Sequence, residues 1–138
     1  MKMSERPPND GMWLELGVND GDFGNGKASL TMSVESRHLN KGGVLHGGIH
    51  LMMLDKALGS ALISVLPENE WCATTMLNTS FVAPAFEDSV IKAQGRLIKR
   101  GRNVAHLEGE VVDESGRILS KATGTWAIWQ SKPESMSK

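Results

Sequence analysis

We predict an α+β domain in which one long, buried helix is wrapped by an antiparallel β-sheet. Two observations predict this fold. A glycine-rich loop opens a mostly apolar segment with helical spacing, and this segment lies between one strand-like stretch and four later ones. The later stretches are joined by short connections, which favour antiparallel pairing, and an apolar helix needs a sheet to cover it.

The composition is that of a globular chain forming one domain. Of the 138 residues, 40% are hydrophobic and 22% are charged, and the formal net charge is −1. We therefore expect no nucleic-acid partner and no membrane partner. The single cysteine, Cys72, excludes an internal disulfide framework. No segment reads as a signal peptide or as a membrane span, so we expect a cytoplasmic protein.

The chain divides into three parts. We expect an N-terminal segment over residues 1–27, the folded domain over residues 28–130 and a disordered polar tail over residues 131–138. In the first part, Met12–Leu16 is predicted to form a short helix or turn. Gly21–Gly26 is predicted to be a turn, because it lacks the strand and helix that a nucleotide-binding loop needs.

Five strands are predicted, and apolar residues alternate along the first, the third and the fourth of them. The first strand alternates from Ala28 to Glu35, and the four that follow the helix are predicted over residues 72–82, 90–100, 103–112 and 117–129. Pro84 closes the second strand. Gly101-Arg102 turns the third strand into the fourth, and Asp113–Gly116 has the composition of a hairpin turn.

The loop from Asn40 to Gly48 leads into the predicted helix. Apolar residues then cover almost its whole circumference, which predicts a buried helix, and Pro67 ends it. The first turn of a helix exposes backbone N–H groups without intrahelical partners, at the positive end of the dipole. An oxyanion or a polarised carbonyl would find hydrogen-bond donors there.

Asp55 is the one carboxylate inside this apolar segment. Burying it is costly unless it is paired or hydrogen-bonded, which makes it a candidate functional residue. The alternative is an aspartate on the helix's one wet edge, beside Lys56. His46 and Asp55 lie nine positions apart, which in a helix is about 13.5 Å along the axis and on opposite sides. If both groups act together, the site should be shared across a twofold interface.

A metal site is the weaker interpretation of the histidines. His46 and His50 lie one turn apart, a spacing that can bind zinc. However, Gly47 stands where a zinc protease carries its glutamate, and no third ligand is evident. We therefore expect no metal.

The run from Asn40 through His46-Gly47-Gly48 to Asp55 resembles the signature of hotdog-fold acyl-coenzyme A thioesterases, in the branch named for phenylacetate degradation. The resemblance covers roughly residues 30–128 and continues through later matches at Thr74, Leu77, Asn78, Phe81, Pro84, Ala85, Gly101, Arg102, Asp113 and Gly116. It implies the hotdog fold and hydrolysis of an acyl thioester. Met76 and Glu87-Asp88 depart from the family pattern.

The resemblance also implies roles for the catalytic candidates. The backbone N–H of Gly47 would stabilise the developing oxyanion, and Asp55 of the partner subunit would act as general base or as nucleophile. Asn40 would orient the substrate carbonyl or the attacking water. Thr74 would lie near the carboxylate, on the same chain as Asp55, or would be an ordinary strand threonine. His46 would position the substrate, or it would only cap the loop through a backbone hydrogen bond.

Substrate binding is assigned to Gly48 of the loop, to Met52 as lining of an acyl pocket, and to Arg100, Gly101 and Arg102 at a predicted hairpin tip. The arginines, with Lys99, would meet the coenzyme A phosphates. The alternative for this cluster is a solvated turn.

The expected partner is an acyl-coenzyme A substrate, with no cofactor other than the coenzyme A that belongs to it. We expect a homodimer with shared active sites, assembled as a dimer of dimers. The sequence does not determine whether the acyl group is aromatic or aliphatic. A non-catalytic acyl-coenzyme A binding protein on the same fold is the main alternative, followed by an acyl-thioester hydratase or dehydratase.

Overall fold

The computed structural model describes residues 2–136, and in this range one long helix packs against a six-stranded antiparallel sheet. In these residues two α-helices and six strands form, in chain order: α1 Met12–Leu16, β1 Val18–Gly24, β2 Lys27–Ser33, α2 Gly47–Ile63, β3 Trp71–Phe81, β4 Val90–Arg100, β5 Val104–Val112 and β6 Ile118–Trp129. The predicted α+β class is confirmed.

The sheet has the strand order β1-β2-β4-β5-β6-β3. Each neighbouring pair is antiparallel. Strand β3 therefore lies at one edge and β1 at the other. The core forms between the inner face of the sheet and α2, where Trp126, Leu30, Met53, Leu58 and Leu107 are almost fully buried.

Strand β1 was not predicted. Its sequence, Val18–Gly24, holds asparagine, aspartates and glycines, and only Val18 is buried, so it lacks the alternation that reveals a half-buried strand. Of the predicted turn, only Asn25 and Gly26 form the link to β2, both with positive φ. The short helix α1 matches the prediction for Met12–Leu16.

The domain limits of 28–130 remain a prediction, although β1 of the N-terminal segment belongs to the same sheet. Part of the predicted tail, residues 137 and 138, lies outside the described residues. Within the rest of the tail, Glu134–Met136 forms a single 3-10 turn.

Helix α2 lies very close to the sheet at Gly95. A Cβ at this position would lie 2.7 Å from the Ala57 carbonyl oxygen, so only glycine permits the observed distance. The helix ends at Ile63, before Pro67 is reached, and Ser64 follows as its C-cap. Its position against the sheet sets the positions of both Gly47 and Asp55.

The prediction that α2 is buried almost all round is wrong for a single chain. The side that carries Leu51, Met52, Asp55 and Gly59 is half-buried or exposed, and Leu51 is 37% exposed. This uncovered helix face is mostly apolar. None of the helices in the described part of the chain has the length and apolar character needed to cross a membrane.

Candidate active site

The glycine-rich loop is held by side chains that bond to its own backbone. The Asn40 Oδ1 accepts hydrogen bonds from the N–H groups of Gly42 and Val44, at 2.8 and 3.4 Å. His46 is the N-cap of α2, and its Nδ1 accepts a 2.9 Å hydrogen bond from the Gly48 N–H. The His46 side chain therefore makes the capping hydrogen bond that was the alternative to a role in positioning the substrate.

Gly48 permits this cap because a Cβ there would lie 3.0 Å from the His46 Nδ1. The N–H of Gly48, assigned to substrate binding, is thus already used inside the loop. The neighbouring Gly47 N–H makes no hydrogen bond to any group of residues 2–136. Gly47 is the first residue of α2, so its free N–H is a donor at the positive end of the helix.

Gly47 lines a pocket of about 320 Å³ between the loop, the start of α2 and the end of β3. Its lining residues include Asn40, Leu45, His50, Phe81 and Pro84. No carboxylate lines this pocket. The pocket offers a hydrogen-bond donor for a carbonyl oxygen but no acidic group to activate water.

His50 is a pocket residue that the sequence analysis did not assign to this site. Its Nδ1 lies 2.9 Å from the Ser120 Oγ, and its ring meets Phe81 edge-on at 5.4 Å. Burial lowers the pKa of His50, which favours a neutral ring. No group of three metal-binding side chains occurs among the residues that the structure describes.

Asp55 lies on the uncovered face of α2 and receives a 2.7 Å hydrogen bond from the Thr74 hydroxyl of β3 in the same chain. This contact is the one expected for Thr74. Lys56 is turned away and stacks its ammonium over the Trp13 ring at 4.8 Å. The Asp55 carboxylate is therefore oriented by a hydroxyl rather than neutralised by its neighbouring lysine.

Asp55 lines a different pocket from the one that Gly47 lines. This second pocket, of about 230 Å³, is lined by Pro7, Trp13, Asp55, Lys56, Gly59, Ser60, Ile63, Cys72, Ala73, Thr74 and Trp126. Burial, reinforced by the Asp55 charge, raises the pKa of the Cys72 thiol to about 12. Because Gly47 and Asp55 line separate pockets, a single chain does not bring them together.

The residues of the predicted phosphate-binding cluster have different contacts in the structure. Arg100 donates two hydrogen bonds of 2.8 and 2.9 Å to the Glu70 carboxylate, which is 6% exposed. Its Nε donates to the Gly101 carbonyl oxygen. The guanidinium is thus committed to a structural ion pair. The side chains of Arg102 and Lys99 are exposed and make no hydrogen bond or ion pair within residues 2–136.

Residues 42–120 match the family model described as Thioesterase superfamily. The chain belongs to this superfamily. The matched range holds both Gly47 and Asp55. The loop, α2 and four of the strands lie inside this range or overlap it. The resemblance read from the sequence is confirmed at the level of this superfamily.

Thioesterase superfamily membership agrees with the curated relatives. A candidate esterase of Halobacterium salinarum is 33% identical over 107 residues, covering 74% of this chain and 70% of the relative. A candidate esterase of Saccharolobus solfataricus is 29% identical over 107 residues, covering 78% of this chain and 75% of the relative.

Solved structures place this thioesterase superfamily chain in the hotdog fold. The PaaI protein of the E. coli phenylacetic acid degradation operon matches with a TM-score of 0.80 at 22% identity, covering 86% of this chain and 84% of that one. A hypothetical thioesterase from Streptococcus pneumoniae, solved with coenzyme A, matches with a TM-score of 0.77 at 22% identity, covering 84% and 88%.

Proposed function

We propose that this protein is an acyl-coenzyme A thioesterase that hydrolyses an aryl- or medium- to long-chain acyl thioester in sites shared by two copies of the chain. The observation that carries the proposal is the Gly47 N–H at the start of α2, which has no partner among residues 2–136 and belongs to a residue that lines a pocket. Superfamily membership supports thioester hydrolysis as the reaction.

The Gly47 N–H would donate to the thioester oxygen. As the carbonyl carbon becomes tetrahedral, negative charge develops on that oxygen, and a fixed donor at a helix N-terminus stabilises it more than it stabilises the ground state. Asn40 would orient the carbonyl or the attacking water from the rim of the same pocket. His46 would act indirectly, by holding the loop through Gly48.

Asp55 of the partner subunit would supply the missing acidic group. As general base, it takes a proton from a water molecule that attacks the carbonyl carbon. As nucleophile, it forms an acyl anhydride while coenzyme A leaves as the thiolate, and water then hydrolyses the anhydride. Both routes release the free acid and coenzyme A. Thr74 orients the carboxylate in either route.

Two uncovered surfaces support a dimer. The mostly apolar face of α2 around Leu51 is open in the single chain. Strand β3 is an edge strand of 11 residues that pairs only with β6, and its Met76 and Phe81 are more than half exposed. Long unprotected edges and apolar helix faces are normally covered by a partner. Two chains related by a twofold axis would cover both.

The coenzyme A nucleotide would meet Arg102 and Lys99, the exposed cations at the β4–β5 turn. Arg100 is a positioning residue for this turn in the proposal, since its guanidinium binds Glu70. A dimer of dimers and a cytoplasmic location, both expected from the sequence, remain predictions.

Thiol release from a panel of aryl- and fatty acyl-coenzyme A esters tests the reaction. Asp55→Asn keeps the shape of the side chain and should abolish turnover while the protein stays folded. Turnover that survives in Asp55→Asn would remove this carboxylate from the mechanism. Wild-type protein that binds the esters without turnover would favour the non-catalytic binding protein.

A matched pair of substitutions tests the oxyanion donor. Gly47→Pro removes the free N–H at the first helical position, where proline is well accommodated. His46 already has the extended φ of −59° and ψ of 132° that precede proline. Gly47→Ala keeps the N–H, and its Cβ would make an ordinary 3.4 Å contact with Phe81. We expect Gly47→Pro to lower kcat about 100-fold or more, and Gly47→Ala to lower it far less.

Complementation tests the shared site. Co-expression of two differently tagged chains, one with Asp55→Asn and one with Gly47→Pro, yields heterodimers that can be purified through both tags. If each site takes Gly47 from one chain and Asp55 from the other, one intact site forms and about half of the wild-type activity returns. An inactive heterodimer would mean that each chain carries its own complete site.

A further inference from the structure

We propose that His50 donates a second hydrogen bond to the thioester oxygen, beside the Gly47 N–H, and that Ser120 positions the His50 ring for this contact. The assignment rests on the proposed function, since it adds a side chain to the site that begins at Gly47. His50 would then be a catalytic residue and Ser120 a positioning residue.

One nitrogen of the buried His50 ring is not used by the described part of the chain. The residue is 3% exposed, and its Nδ1 lies 2.9 Å from the Ser120 Oγ. Its Nε2 makes no hydrogen bond within residues 2–136. The enclosed side-chain polar atoms without partners in this range are the Asn9 Oδ1 and the Thr79 Oγ1. The Nε2 is not among them, so it reaches open space, and His50 lines the same pocket as Gly47.

Ser120 determines which nitrogen of the His50 ring carries the proton. This serine is fully buried, and within residues 2–136 its hydroxyl has the His50 Nδ1 as its hydrogen-bond partner. A buried hydroxyl needs an acceptor for its proton. Because the Nδ1 is the acceptor within reach, the hydroxyl donates to it and the ring proton lies on the Nε2. The other tautomer would leave the serine proton buried and unpaired.

The geometry of α2 directs the His50 ring toward Gly47. Residues three apart lie on the same side of a helix, and their side chains lean toward its N-terminus. The Phe81 ring lies against both residues: its centroid is 5.4 Å from that of the His50 ring, and a Cβ at Gly47 would lie 3.4 Å from it. The two N–H groups therefore belong to neighbouring parts of one pocket of about 320 Å³.

Both N–H groups can act on one oxygen. A carbonyl oxygen carries two lone pairs, so it can accept from the Gly47 N–H and from the His50 Nε2–H together. As the carbonyl carbon becomes tetrahedral, negative charge develops on this oxygen and both hydrogen bonds strengthen. Burial lowers the pKa of His50 and thereby favours the neutral ring. The N–H of a neutral imidazole is a very weak acid, so it polarises the carbonyl and keeps its proton.

Packing alone does not account for a histidine at this position. An apolar side chain would fill the space beside Phe81 without placing a polar group between helix and sheet. The contact with Ser120 satisfies one nitrogen of the His50 ring and leaves the other to the pocket. A ligand carbonyl in that pocket would supply the acceptor that the Nε2–H lacks within the described residues.

Two amide side chains distinguish a catalytic role from a structural one. His50→Asn places an amide where the Nδ1 stands, so it keeps the contact with Ser120 and loses the donor in the pocket. His50→Gln places its N–H group near the position of the Nε2, so it keeps the donor and loses the Ser120 contact. We expect His50→Asn to lower kcat about 10- to 100-fold with little change in KM, and His50→Gln to lower it far less. The opposite ranking would make His50 a structural residue.

Infrared spectroscopy of a bound thioester tests the contact without requiring turnover. The probes are phenylacetyl- and hexanoyl-coenzyme A, isotopically labelled at the thioester carbonyl and bound to protein that carries Asp55→Asn. A hydrogen bond to the oxygen weakens the C=O bond and lowers its stretching frequency. We expect the band to move to higher frequency when His50→Asn is added and to stay low when His50→Gln is added. A band that neither substitution moves would overturn the inference.

His106→Asn is the matched control, because this histidine of β5 is exposed and lines neither the Gly47 pocket nor the Asp55 pocket. It should leave kcat and the carbonyl band unchanged. A change as large as that of His50→Asn would mean that the loss of a histidine acts indirectly.

The role of Ser120 has its own measurement. Long-range proton–nitrogen NMR spectra should show the His50 proton on the Nε2, and Ser120→Ala should give a mixture of both tautomers and move the carbonyl band part of the way. A proton on the Nδ1 in the wild type would overturn the inference. These spectra also test the inference if His50→Asn does not fold.

The second donor and the proposed function fail in different ways. Asp55-dependent hydrolysis with a carbonyl band that is independent of His50 would remove this residue from the site and leave the thioesterase intact. A band that depends on His50 in a protein without turnover would support the carbonyl contact and reject hydrolysis. Protein that binds neither the labelled esters nor any other ester of the panel would overturn both.

Discussion

Thr74 and Asp55 form a hydrogen bond of 2.7 Å that joins the edge strand β3 to the uncovered face of α2. One end is a hydroxyl donor and the other is the carboxylate on which the proposed chemistry depends. Since the contact lies within one chain, the carboxylate is oriented before any partner is bound.

Substitution of Thr74 should affect catalysis more than binding. Thr74→Val preserves the β-branched shape and removes the donor, so we expect kcat to fall about tenfold or more while KM changes little. Thr74→Ser restores the hydroxyl and should recover most of the activity. Equal activities of the valine and serine variants would show that the hydrogen bond has no part in turnover.

Arg100 should prove a stability residue and not a ligand for coenzyme A. Arg100→Met leaves the buried Glu70 carboxylate without its main partner, and we expect a loss of about 2–3 kcal/mol in the free energy of unfolding. The double variant Arg100→Met, Glu70→Leu should regain much of it. Arg102→Gln is the comparison: it should raise KM for the ester with little change in the thermal midpoint. A raised KM for Arg100→Met at unchanged stability would reverse these assignments.

The stability of the protein should fall at alkaline pH through Cys72. Burial raises the pKa of its thiol from 9.0 to about 12, so between these values the unfolded chain loses a proton that the folded chain keeps. The contribution is therefore complete below about pH 9 and decreases as pH rises, with a limit of about tenfold in the unfolding equilibrium for each pH unit. Urea titrations at several pH values give the free energy of unfolding as a function of pH. Above about pH 9 this free energy should fall less steeply with pH in Cys72→Ala than in the wild type. Equal pH dependence in both proteins would mean that folding does not raise the pKa of the thiol.

A charge on the uncovered helix face should separate the proposed dimer. Leu51 is 37% exposed in the single chain and lies one turn before Asp55. Leu51→Lys would place an ammonium group inside the interface, so we expect monomers in sedimentation experiments together with loss of activity. Ile98→Lys, at a side chain that is 56% exposed on β4, is the matched control. A fully active monomer would rule out the shared site.

The close approach of α2 to the sheet at Gly95 should not tolerate a methyl group. Gly95→Ala would force the new Cβ against the Ala57 carbonyl oxygen, which should cost about 1–3 kcal/mol and shift α2. Gly116→Ala is the comparison, since its Cβ meets open space and only the positive φ of 85° is strained, at about 1 kcal/mol. The thermal midpoints of both variants, measured by calorimetry, show which substitution destabilises the protein more. A larger effect at Gly116 would contradict the close packing.

Those parts of the fold that depend on local periodicity could be predicted from the sequence. Strands β2, β4 and β5 alternate apolar and polar residues over most of their length. Strand β3 does not, and its limits were predicted from the polar turn before it and from Pro84 after it. The loop before the helix is rich in glycine. Strand β1 was missed because an exposed edge strand has no buried face to produce alternation. The helix end at Ile63 was missed because a proline marks only the latest position at which a helix can stop.

The site was predictable to the extent that it depends on spacing. The separation of His46 and Asp55 led to the expectation that one chain cannot unite them. Gly47, the neighbour of His46, lines a different pocket from Asp55, and the shared site stays a prediction. The ion pair of Arg100 with Glu70 was not predictable. These residues lie 30 positions apart, and their meeting is determined by the packing of the sheet.

The two edges of the sheet differ in a way that limits growth. At β1 the pairing with β2 is interrupted between Asp20 and Phe23, and Arg6 donates hydrogen bonds to the carbonyl oxygens of Gly21 and Asp22. These contacts and the irregular pairing make β1 a poor template for a further strand. If two chains join through β3, the outer edges of the combined sheet are the two β1 strands. The same features would then disfavour addition of a third chain to the sheet.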